Sequence, residues 1–149
     1  RQQYNHHFIA DVRPVVEFFE YATHLLDKLS AGGKDLAVAT GKSRSGLDRA
    51  FRELKIGHMF RDSRCADETK SKPHPLMLEE LSTSLGVSPE SMLMVGDTEF
   101  DLNMANNAGI DSVAITHGAH SREKLEACSP VVIVDDLKQL HEWIDGNQF

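Results

Sequence analysis

Short apolar runs alternate with stretches of helical periodicity along this chain, which predicts an α/β fold: a parallel, Rossmann-like sheet with helices on both faces. Two of the runs, Leu36-Ala37-Val38-Ala39 and Met92-Leu93-Met94-Val95, carry no polar residue, as strands buried on both faces do. Each ends in a polar loop that leads into a helical pattern. At 149 residues, 40% hydrophobic and 26% charged, the chain suffices for one domain with a real core and is too short for two full ones.

The elements follow in order. Val15, Phe18, Phe19, Ala22, Leu25, Leu26 and Leu29 recur at helical spacing, and Gly32-Gly33 stop that helix. The strand at 36–39 ends at Thr40-Gly41, and Leu47, Ala50, Phe51 and Leu54 mark the next helix, before Gly57. Residues 59–66 read as a weak strand passing into the polar loop 67–72. After Pro73 and Pro75, a helix carried by Leu76, Met77, Leu78, Leu81 and Leu85 closes at Gly86. Ser88-Pro89-Glu90 reads as a capped turn before the strand 92–95. A helix over 101–107, a strand over 112–115, a helix over 122–127, a strand over 131–134 and a last helix to about Ile144 complete the pattern.

Sixteen basic against 23 acidic residues give a net charge of −7, which argues against binding nucleic acid or anionic lipid through a basic surface. Cys65 and Cys128 lie far apart, and His58, His74, His117, His120 and His141 share no metal-ligand spacing, so neither a disulfide framework nor a zinc site is expected. His117-Gly118 reads as a loop at the site rim, Trp143 as an anchor to the core, and Arg44, Ser45 and Arg49 as solvated helix positions. No apolar run approaches the ~20 residues of a membrane span, and a cytoplasmic protein is the expectation.

In open parallel sheets ligands bind beyond the carboxyl ends of the strands, which directs attention to three places. In Thr40-Gly41-Lys42-Ser43 a hydroxyl, a glycine and a helix start offer donors to an oxyanion, or else Thr40 or Ser43 simply caps a helix. In Gly96-Asp97-Thr98-Glu99-Phe100-Asp101 two carboxylates four apart suit a hard cation such as magnesium, or else acids at a helix start offset its dipole. In Ser71-Lys72-Pro73-His74-Pro75 two prolines stiffen the loop that presents Lys72, which is otherwise an ordinary solvated charge.

Taken in order, LAVATGKS (36–43), KPHPLML (72–78), MLMVGDTEFD (92–101) and NMANNAGI (103–110) resemble the haloacid dehalogenase (HAD) superfamily, with the strongest similarity to phosphoglycolate-phosphatase-like members. The resemblance runs from about residue 15 to the end. It implies a HAD-like core at 15–149, incomplete, with 1–14 a remnant of cap or linker. It also implies that Thr40 bonds the transferring phosphoryl oxygens, that Lys72 neutralises charge on nucleophile and phosphate, and that Asp97 ligates Mg2+. Asp101 would support the metal or orient Lys72, and Gly41 and Lys42 would make secondary phosphate contacts. Such electrostatic stabilisation dominates phosphoryl transfer.

The family's first motif is an apolar strand ending in DxDxT, whose first Asp attacks phosphorus. It does not occur here; the nearest approach, Phe8-Ile9-Ala10-Asp11-Val12-Arg13, puts arginine where the general acid and base belongs, and arginine does not exchange a proton near neutral pH. Residues 1–14 are therefore read as a cap segment returning to the core, with Asp11 as a substitute nucleophile the lesser reading. In this family the nucleophile strand lies between those ending in Thr40 and Asp97, and its loss would leave two central edges unpaired, open to association. Either the strand is supplied from outside this sequence, or the N-terminal segment or a neighbouring chain fills the slot.

The resemblance thus implies a magnesium-dependent phosphatase acting on a small phosphorylated metabolite such as phosphoglycolate, with this chain alone inactive. Pyrophosphatase, phosphomutase and dehalogenase activities are alternatives within the family, the last fitting the paired acids least. A non-catalytic phosphate-binding or interaction module is the reading from another class.

Overall fold

The computed structural model describes residues 7–10, 19–116 and 121–146. Six strands form one sheet: β1 (His7–Ala10), β2 (Asp35–Thr40), β3 (Asp62–Cys65), β4 (Met92–Gly96), β5 (Asp111–Ile115) and β6 (Val132–Val134). Between and after them run α1 (Phe19–Ala31), α2 (Arg44–Leu54), α3 (Leu76–Leu85), α4 (Glu99–Ala108), α5 (Arg122–Glu126) and α6 (Leu137–Gly146). The strand order is β3-β2-β1-β4-β5-β6, and every pairing is parallel. This is the α/β, Rossmann-like architecture expected from the sequence. The order reverses between β1 and β4, and that switch point is where open sheets of this kind bind ligands.

The expectation that the central strand is missing meets a specific answer. The N-terminal segment fills the slot: Phe8 stands beside Leu36 and Leu93, and Ala10 beside Val38 and Val95. Four of the residues assigned to a cap remnant or linker thus lie inside the core sheet, and the open centre proposed as a route to association is closed. The physical reason is the cost of two unpaired central edges, which Phe8-Ile9-Ala10 relieves with backbone hydrogen bonds and apolar side chains. Asp11, Val12 and Arg13 lie outside the described residues, as do His117 and His120.

Strand alternation sends β1 side chains to both layers. Ile9 is fully buried with Met77, Leu78 and Leu81 of α3 and Met104 of α4, whereas Phe8 packs with Leu25 and Leu29 of α1 and Leu140 and Ile144 of α6. An apolar cavity of about 50 Å³ remains between β1 and these two helices, lined in part by Ala10, Leu25 and Ile144. Smaller clusters finish the core, Leu47 of α2 meeting Val38 and Cys65, and Leu125 of α5 meeting Leu102 and Ala114.

Several expectations shift at the residue level. The weak strand narrows to β3, after a 3-10 turn at Gly57–Met59. Ser88 stands at the N-cap of a 3-10 turn, Pro89–Ser91, but makes no side-chain cap bond. Val131 stays outside β6, though its N–H donates to Ser112 O at 2.8 Å. Arg44 is not simply solvated: its guanidinium donates to Glu68 at 2.8 and 3.1 Å, to Ser63 Oγ at 2.9 Å and to Ser63 O at 3.2 Å, tying α2 to β3 and the loop beyond. Trp143 is half-buried against the α1/α6 core, and His141 accepts or donates a bond with the Tyr21 hydroxyl at 2.7 Å. Both cysteines are free and buried.

Candidate active site

Ala10 marks the depth of the switch point. Two residues beyond its partners Val38 and Val95 stand Thr40 and Asp97, at the carboxyl ends of the strands that flank β1. Both are buried, as is Asp101.

Asp101 sits where two local rules coincide. Thr98 is the N-cap of α4, its hydroxyl oxygen accepting from Asp101 N at 3.2 Å, while Asp101 Oδ2 accepts from Thr98 N at 3.3 Å and Thr98 Oγ1 at 3.1 Å. This is a capping box, with an acid at the third helical position favoured by the helix dipole. Asp97 N donates to the same oxygen at 3.1 Å. The other oxygen, Oδ1, accepts from Lys72 Nζ in an ion pair whose lysine side chain is only 8% exposed and whose aspartate is wholly buried. The helix therefore begins at Glu99, two residues before the boundary expected from the sequence, because Thr98 and Asp101 close its first turn together.

Lys72 reaches Asp101 from the loop before α3. His74 N donates to Ser71 O at 3.0 Å, Leu76 N to His74 Nδ1 at 3.1 Å, and the side chain of Asn107 on α4 to Pro73 O at 3.0 Å. The Lys72–Pro73 bond is cis. Neither proline acts alone; the loop is tied to the helix that carries its aspartate.

On the other side, Thr40 Oγ1 accepts from Lys42 N at 3.1 Å, and Ser43 caps α2 by accepting from Gly46 N at 3.1 Å. Helix capping here thus belongs to Ser43, which leaves the Thr40 hydroxyl proton for another acceptor. The first free N–H of α2, on Arg44, donates to Asp67 at 3.0 Å. Gly41 lines an open cleft of about 360 Å³ together with Ala66, Ser71, Lys72, Thr98, Phe100 and Asp101. Of the residues singled out from the sequence, Gly41, Lys72 and Asp101 meet at this cleft, Thr40 and Asp97 lie at the adjoining strand ends, and Lys42 is exposed.

Gly96, Thr98, Phe100 and Asn107 were not expected as contributors. The Thr98-x-x-Asp101 spacing was the readable signal for the first turn. The role of Gly96 is steric, since a Cβ there would lie 2.3 Å from Asp101 Cβ.

Among the described residues no group of three or more His, Cys, Asp or Glu could hold a metal. A hard cation of the magnesium type needs less, because it keeps several waters and uses one or two carboxylates with substrate phosphate oxygens. The buried carboxylate of Asp97 fits that demand. Asp101, engaged on both oxygens, fits the holding of Lys72.

The fold is an α/β, Rossmann-like core with a buried Lys–Asp pair and a second buried aspartate at the switch point of its sheet, where such folds bind ligands. The chain belongs to the haloacid dehalogenase-like hydrolases: the model of that family matches residues 1–115. It is 32% identical over 123 residues to a phosphoglycolate phosphatase of Salmonella choleraesuis, a match covering 82% of this chain and 49% of that protein. It is 29% identical over 140 residues to the pyrophosphatase PpaX of Bacillus mycoides, covering 93% and 64%. A crystal structure of a predicted phosphoglycolate phosphatase from Haemophilus somnus superposes with a TM-score of 0.76 at 28% identity, over 81% of this chain and 54% of that one. The chain thus spans about half the length of the phosphoglycolate phosphatases it matches. Among the described residues no helix is long and apolar enough to cross a membrane.

Proposed function

We propose that this chain is the phosphoryl-handling half of a cytoplasmic, magnesium-dependent phosphatase acting on a small phosphorylated metabolite such as phosphoglycolate. The observation that carries the reading is the buried Lys72–Asp101 pair opening on a cleft at the switch point of the sheet. A buried ion pair is expensive to maintain and is a weak source of stability. Its position beside Thr40 and Asp97 gives it a use.

In this reading Lys72, held at the cleft by Asp101, faces the phosphoryl oxygens and neutralises their charge. The Thr40 hydroxyl, already oriented by Lys42 N, donates to another of those oxygens. Gly41 lets the phosphate approach the backbone, and Lys42 makes a secondary contact. Asp97 holds Mg2+, which when bound offsets charge on the phosphoryl group. β1 fills the slot that the resemblance gives to the nucleophile strand and Asp11 follows it in sequence, which makes Asp11 the candidate attacking carboxylate; with Arg13 where the general acid and base belongs, the 149-residue chain alone does not turn over.

The test is hydrolysis of phosphoglycolate, pyrophosphate and an aryl phosphate, with and without Mg2+, by the natural protein carrying this chain. Asp97→Asn and Lys72→Ala are expected to lower turnover by at least a hundredfold, the scale of losing one electrostatic contact to the transition state. Equal activity in Asp97→Asn refutes the metal assignment. Preference for pyrophosphate favours the alternative that the similarity to PpaX supports, and turnover by the 149-residue chain alone would make Asp11 the residue to change. Phosphate binding without turnover in the natural protein would point to a non-catalytic module.

A further inference from the structure

The cleft joins a cation to an aromatic ring. Phe100 is 48% exposed, and it and Val131 are the exposed large hydrophobic residues among those described. Among the described residues, Phe8 is buried in the core, and Phe51 stacks on Phe60 with centroids 5.4 Å apart. Phe100 instead lines the same cleft as Lys72. It is the one large apolar side chain on that described wall, where Gly41 offers no side chain, Ala66 a methyl group, and Ser71 and Thr98 small hydroxyls.

Its position is fixed, not incidental. Phe100 lies inside the capped first turn of α4, and the next residue, Asp101, holds the Lys72 ammonium. One peptide unit therefore links the ring's backbone to the group that fixes the cation. A ligand anchored by its anionic end at Lys72 must run its remaining atoms past the cleft wall, where a half-exposed ring gains by being covered with carbon and gains nothing from further charge.

We propose that Phe100 is a specificity-determining residue: it forms the wall against which the organic part of the phosphoester rests, and selects esters that carry a carbon skeleton next to the phosphate over pyrophosphate, which carries none. This rests on the phosphate-handling reading of Lys72 given above and names the substrate class of that same site.

The 149-residue chain in Mg2+ is titrated with orthophosphate, methylphosphonate and phenylphosphonate while the amide NMR signals of residues 96–102 are followed. Phenylphosphonate is expected to bind about fivefold more tightly than methylphosphonate, the scale of one aromatic contact. Phe100→Ala should bring that ratio close to one, and Phe100→Leu should restore part of it. A ratio unchanged in Phe100→Ala, or a ratio of one in the unsubstituted chain while orthophosphate binds, overturns the role of Phe100 and leaves the phosphate site standing. If orthophosphate does not bind, or binds equally well to Lys72→Ala, the phosphate-site reading fails and this inference with it.

Discussion

Gly96 and Asp101 approach so closely that a Cβ on Gly96 would stand 2.3 Å from Asp101 Cβ and 2.8 Å from its Cγ and Oδ2. The missing side chain is what lets the end of β4 and the first turn of α4 share a carboxylate. Gly96→Ala must therefore move Asp101, which is wholly buried and cannot swing into solvent. We expect a loss of about 1–3 kcal/mol, the usual cost of overpacking, in chemical denaturation. We also expect weakened orthophosphate binding as Lys72 loses its anchor. A variant as stable as the parent would show that the strand end gives way freely.

Asp101→Asn asks a different question of the same residue. The amide retains the shape and can still accept bonds at one position, but it removes the charge facing a lysine that is 8% exposed. Removing one charge from a buried pair costs about 3 kcal/mol or more. The double variant Asp101→Asn with Lys72→Met should be more stable than Asp101→Asn alone, because the ammonium that lost the Asp101 carboxylate is gone. Equal stability of the two, by urea denaturation, would mean that the pair is more solvated than its burial indicates.

β1 offers a test at the sheet centre. Ile9 is fully buried between β2 and β4, so Ile9→Ala should cost about 2–4 kcal/mol from lost burial and the cavity left behind. Hydrogen exchange at Phe8 and Ile9 should be as slow as at Val38 and Met94, since central strands open only with the whole domain. Fast exchange there, with β2 and β4 protected, would show that this segment occupies the slot only part of the time.

That strand also marks the limit of what could be read from the residues. β2 and β4 were legible because their apolar runs are unbroken and each precedes a helical pattern. β1 was not, because its run is only three apolar residues between a histidine and an aspartate, and only the open slot between β2 and β4 gives it a place. At the site, Lys72, Asp97 and Asp101 were legible as motif residues, yet the division between them was not. Spacing alone made the two aspartates equivalent; the capping box and the lysine separate them by engaging both oxygens of Asp101. Gly96 and Phe100 escaped notice for a related reason. A close approach and a cleft wall are properties of packing, which no local pattern encodes.

Away from the site, the Arg44 network should set part of the acid sensitivity of the fold. The hydrogen bond from Arg44 chiefly holds the Glu68 carboxyl below its ordinary value, with the Cys65 N–H and the charges of Arg44 and Arg64 adding to it against the opposing effect of burial. A carboxyl whose folded value is depressed stabilises the fold above its unfolded value, near 4.5, and that stabilisation is lost as pH falls through the lower folded value. Glu68→Gln should therefore be less stable than the parent at pH 7, and the gap should narrow between pH 5 and pH 3 as the parent protonates. The pair is partly exposed, so screening keeps the effect small, and 0.5 M salt should reduce it further. Thermal melts of both proteins across that pH range decide the matter: a gap that stays constant with pH would assign the role of Glu68 to packing instead of charge.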